Sequence, residues 1–138
     1  MAQQRPSFSV IAIENEQAAE QALARGDFAE AYLRVHALME GLLRLFLRVP
    51  EGDEVTFNEL IQRYQAHLED VRYTVPSFMP ELTQLNRRRD QIVQHLWRQG
   101  LALTNHQTEA AARAAVVMCG LFIDWLESFD PDVTDGAG

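Results

Sequence analysis

The stretch Phe28–Val49, FAEAYLRVHALMEGLLRLFLRV, decides the fold. Phe28, Tyr32, Val35, Met39, Leu42, Phe46 and Val49 recur at steps alternating between four and three, the spacing of one helix face. Leu33, Leu43 and Leu47 add a second apolar stripe and leave Glu30, Arg34, Arg44 and Arg48 as a narrow polar face. A helix apolar over so much of its girth is surrounded on most sides, so residues 28–49 are expected at the centre of a helical bundle. Asp27 with Glu30 resembles a capping box, and Gly26 ends a preceding helix expected over about residues 8–25.

The same periodicity extends outward along the chain. After Pro50, EGDEV reads as a loop, and Thr56 with Glu59 forms a second capping-box pattern ahead of Phe57, Leu60, Ile61, Tyr64 and Leu68. That short helix ends near Asp70. Pro76 and Pro80 bracket a break, after which Leu82, Leu85, Ile92 and Leu96 define a helix over about 80–99, stopped by Gly100. Thr104 and Gln107 form a third capping-box pattern, announcing a final helix to about Phe129 whose face is expected to be Ala111, Ala114, Met118, Leu121 and Trp125. No alternation long enough to build a sheet occurs. The expected fold is all-α, an up-and-down bundle of four main helices plus a short extra one, forming a single domain over residues 1–130 with a disordered tail over 131–138.

Composition narrows the function. A chain of 138 residues with 47% hydrophobic content supports one domain with a real core. No apolar run reaches the roughly 20 residues of a membrane span, and MAQQRPSFSV has no basic stretch leading into an apolar block, so a cytoplasmic protein without membrane contact is expected. Cys119 is the single cysteine, which rules out an intramolecular disulfide; among Val117, Met118, Leu121 and Phe122 it reads as a buried, inert thiol. A net charge of -8 excludes a protein that coats nucleic acid by bulk electrostatics. All twelve basic residues are arginine, three of them consecutive in RRRDQIVQHLW, Arg87–Trp97. That segment puts a permanently charged fork, an acid and a proton-exchanging imidazole on one helix, a set suited to phosphate chemistry. Arg89 falls within the series Leu82, Leu85, Arg89, Ile92, Leu96, which otherwise points at the core; it reads either as a structural arginine, reaching out of the core or paired with Asp90 or Glu40, or as a ligand-facing one.

Arg89, then the polar Asp90, then His95 after five intervening residues, with Ile92 and Val93 ahead of the histidine, resembles the signature of the HEPN superfamily. The looser similarity takes in the central helix HALMEGLLRLFLR with the acid Glu40 in its middle and the long apolar final helix. The resemblance implies a homodimer whose Arg and His line a shared cleft. It also implies a metal-independent endoribonuclease of the toxin–antitoxin or phage-defence type, without cofactor, cleaving RNA through its own 2′-hydroxyl. His95 would exchange protons with the attacking or leaving oxygen, Arg89 would neutralise the transition state, Asp90 would orient Arg89, and Glu40 would support the site. Arg88 is an alternative phosphate ligand: six residues turn Arg89 and His95 about 120° apart on a straight helix, whereas the seven from Arg88 nearly align it with His95. One branch of the family carries a tyrosine two residues after the histidine, modified by a partner nucleotidyltransferase; Trp97 stands there, which excludes adenylylation at that position and leaves open an antitoxin, acting by occlusion, or a nucleotidyltransferase-like protein as partner. Trp97 itself reads as a packing or dimer-interface residue.

Two other classes compete. Members of the same superfamily that have lost catalysis bind RNA, nucleotides or proteins, and the acidic surface suits such a module. A metal site is the third: His36 and Glu40 lie four residues apart, with His67, His95 and His106 as further ligands, although no HExxH or paired ExxH pattern occurs.

Overall fold

The computed structural model describes residues 8, 10–72, 78–130 and 132, and among these every regular element is helical. A π-helical turn, Val10–Glu14, leads into α1 (Asn15–Ala24); α2 (Phe28–Phe46), α3 (Phe57–Asp70), α4 (Met79–Gln99) and α5 (Leu101–Phe129) follow. The domain is therefore an all-α bundle of five helices. Pro76 and, of the expected tail, Pro131 and residues 133–138 lie outside the described residues.

Helix α2 is the hub, packed against each of the other four helices. The first apolar stripe is buried at Tyr32, Val35, Met39, Leu42 and Phe46; of the second, Leu43 is buried while Leu33 and Leu47 pack half-buried against the core. Its C-terminus falls three residues short of the expected Val49. The Arg48 amide bonds Leu45 O and the Val49 amide bonds Arg44 O, a Schellman closure that puts Arg48 at φ +55°. The same closure ends α1, where Gly26 takes φ +81° at no steric cost. At the α5 end of the bundle, Phe46, Tyr64, Phe78, Phe122, Trp125 and Phe129 build an aromatic cluster, mostly edge-to-face, with Trp125 stacked on Phe129 at 4.8 Å.

The three capping-box patterns met different fates. Thr56 caps α3, its hydroxyl accepting from the Glu59 amide at 3.2 Å. Asp27 makes no cap; with Glu30 it holds the Arg25 guanidinium at 3.0 and 2.9 Å. Thr104 lies inside α5 and is buried, its hydroxyl donating to Gly100 O at 2.6 Å. Gly100, at φ +88°, both ends α4 and turns the chain directly into α5, so the last helix starts at Leu101. The buried stripe of α5 is Ala112, Ala115, Cys119, Phe122 and Leu126, displaced from the expected face by one residue. Leu121 and Val117 are 56% and 65% exposed. Among the described residues no helix is long and apolar enough to cross a membrane.

Candidate functional site

Helix α4 carries the Arg–Asp–His series. Its buried positions are Leu82, Leu85 and Ile92, and the intervening Arg89 departs from them: its side chain is 45% exposed and its Nη1 donates to Asp90 Oδ1 at 2.9 Å. Arg89 thus reaches out of the core and pairs with Asp90, outcomes its place in the series left open. The reason lies in α3, which reaches α4 at Asn58 and Asn86, while the turn beyond, with Arg89, Asp90 and Val93, is exposed. Glu40 does not pair with Arg89 either. It takes Arg44 at 3.3 Å, and Arg44 in turn donates to the carbonyls of Asp53 and Val55, fastening the loop before α3.

The histidine tied into this region is His36. It is buried, its ring stacks on Phe57 with centroids 4.4 Å apart, and its Nε2 lies 3.0 Å from Asn86 Oδ1. Asn86 Nδ2 donates to Asn58 Oδ1 at 2.9 Å, which leaves Asn86 Oδ1 as an acceptor and assigns the proton to His36 Nε2. Burial pushes the His36 pKa below the ordinary histidine value and Arg89 adds to that, while the Asn86 hydrogen bond, Glu40 and Asp90 act against it. Arg89, Asp90 and Glu40 therefore bear electrostatically on one neutral imidazole. With Nε2 hydrogen-bonded to Asn86 and its ring buried against Phe57, His36 ties α2 to α4. Sequence reading raised His36 only as a metal ligand and passed over Asn58 and Asn86, whose one available signal is a side-chain amide directly after the core residue Leu85.

His95 is half-buried, on the same helix side as Arg88, and among the described residues it makes no hydrogen bond or ion pair. Arg88 occupies the same side two turns earlier and is half-buried beside Tyr32. Helix geometry separates the two backbone positions by roughly 10 Å, with Arg89 about 120° away from His95. Arg89 and Asp90 thus form one unit and Arg88 and His95 line another side. Trp97 is 70% exposed with the Arg98 guanidinium 5.0 Å over its ring, so it does not pack within the chain.

The residues of the alternative metal set are dispersed. His36 is spent on Asn86, His67 lies edge-on to Phe46, and among the described residues no group of three or more His, Cys, Asp or Glu is placed to hold a metal ion. Cys119 is buried, and burial, reinforced by Glu16 and Glu20, pushes its thiol up to about 12, which removes it as a nucleophile. Comparison with known proteins adds no assignment: no family model matches the chain, and neither a curated protein nor a solved structure matches it.

Proposed function

We propose that this protein is a HEPN-like, metal-independent endoribonuclease that acts as a homodimer, with RNA bound along the arginine-rich face of α4. The observation that supports the reading is that Arg88, Arg89, Asp90 and His95 all remain at least partly accessible on one helix, none of them consumed by the core. In this reading His95 exchanges a proton with the 2′-hydroxyl or the leaving oxygen, and the Arg89 fork, hydrogen-bonded to Asp90, answers the charge that develops on the phosphorus oxygens. Because Arg89 and His95 point about 120° apart on one helix, a single phosphodiester is met by Arg89 of one copy and His95 of the other, or by Arg88 and His95 of the same copy. The acidic remainder of the surface, at net charge -8, limits RNA contact to this face. Regulation by an occluding antitoxin fits the same exposed helix.

A second reading, a HEPN-like binding module without catalysis, is favoured by one observation: His95 has no carboxylate or amide among the described residues to fix its tautomer. The two readings separate on an RNA oligonucleotide carrying a single 2′-deoxy sugar at the cleaved position. The nuclease cuts the all-ribose strand and leaves the substituted strand intact at that bond. Binding of both strands without cutting either identifies the module.

A further inference from the structure

Helices α4 and α5 leave the Gly100 corner bound together, Gln99 Nε2 donating to Gln107 Oε1 at 2.6 Å and to the Thr104 hydroxyl at 3.3 Å. Farther from the corner they part. A groove of about 550 Å³ opens between them, within the range of roughly 300–1,000 Å³ typical of small-molecule sites. Its floor and walls are apolar: Leu85 and the Tyr32 ring below, Ala111, Ala114 and Ala115 along α5, and Met118 at the far end. The Tyr32 hydroxyl faces away from any ligand role, since it donates to Leu85 O at 2.9 Å.

Arg88 is the one cation on this lining, and it is half-buried. Among the described residues no carboxylate pairs with it. Glu81 also borders the groove, but two turns earlier, roughly 10 Å along the helix. Gln84 and Gln107 also line the groove and supply neutral amides, the Gln107 oxygen already accepting from Gln99 and its Nε2 left to donate. A partly desolvated arginine without a counter-charge is costly, and an apolar trough next to it asks for a ligand that is anionic at one end and hydrocarbon at the other.

We propose that the α4–α5 groove binds a small amphiphilic carboxylate, its head on Arg88 and Gln107 and its hydrocarbon along Ala111, Ala114 and Met118. The assignment stands apart from the ribonuclease reading. Arg88 belongs to both, so the readout is ligand binding in the absence of RNA.

The experiment titrates the full chain with octanoate and, separately, with 1-octanol, followed by backbone amide chemical shifts. The expected result is saturable binding of both, with shifts centred on Arg88, Ala111 and Ala114, and octanoate tighter by roughly tenfold, the worth of a charge-assisted contact. Arg88→Gln removes that preference while leaving octanol binding in place. Ala114→Phe, at an exposed position on the groove wall, abolishes both without unfolding the domain. Equal affinity for the two probes, binding indifferent to Ala114→Phe, or no shifts at all overturns the proposal. So does a groove whose shifts change with protein concentration alone, which would make a second copy its occupant.

Discussion

Replacing Asn86 by alanine tests the His36–Asn86–Asn58 chain that seats α4 on α2. The substitution leaves the buried Nε2–H of His36, now 3.0 Å from Asn86 Oδ1, without an acceptor, and a stranded buried donor costs about 1–3 kcal/mol. The lost Asn86–Asn58 bond is exposed and adds little. Against this, alanine is the better helix former by about 0.6 kcal/mol at a helix-interior position. The net expectation is a loss of roughly 0.5–2.5 kcal/mol, or about 2–8 °C in Tm for a domain of this size. Urea unfolding of Asn86→Ala, His36→Phe and the double variant measures it, because phenylalanine keeps the ring against Phe57 and deletes the donor. In the His36→Phe background Asn86→Ala becomes neutral or slightly stabilising, so the cycle shows a coupling above about 1 kcal/mol. An Asn86→Ala protein as stable as the parent, or the same loss in both backgrounds, refutes the reasoning.

Other outcomes follow from individual contacts. Because burial lowers the His36 pKa, the folded protein binds that proton less well than the unfolded chain does; stability therefore falls as the pH drops from about 6.5 toward the folded value, and denaturation at a series of pH values shows a shallower fall in His36→Phe. Leu42→Ala, at a fully buried position on the hub helix, costs about 3–5 kcal/mol by chemical denaturation. Thr56→Ala costs about 1 kcal/mol through loss of the α3 cap. Cys119 resists a thiol reagent at mildly alkaline pH in the folded protein and reacts promptly in denaturant; rapid labelling of the folded chain contradicts its burial.

The hub helix was legible because its two apolar stripes have no competing arrangement: Tyr32, Val35, Met39, Leu42 and Phe46 are buried as their spacing requires. Helix α5 was legible in kind but not in register. It is apolar around most of its circumference, with Val117 and Leu121 outside and Cys119 and Phe122 inside, so periodicity alone does not choose the buried side. Arg89 shows a related limit. It lies on the core stripe of α4, yet exposure depends on where α3 stops covering that helix, a tertiary fact that local spacing does not carry. Thr104 and Gln107 match a capping box in sequence, but Gly100 turns the chain so sharply that the helix has already begun four residues earlier. At the candidate site the sequence supplied the arginines, Asp90 and His95. The Asn58–Asn86–His36 chain came only from three helices meeting, since its members stand up to 50 residues apart.

The ribonuclease proposal is tested most directly by incubating mixed cellular RNA with the purified protein in excess EDTA, alongside His95→Ala checked for unchanged helical content. Cleavage that leaves cyclic phosphate ends and disappears in the variant is the expected result. RNA left intact by the parent protein, or cut equally by His95→Ala, contradicts it.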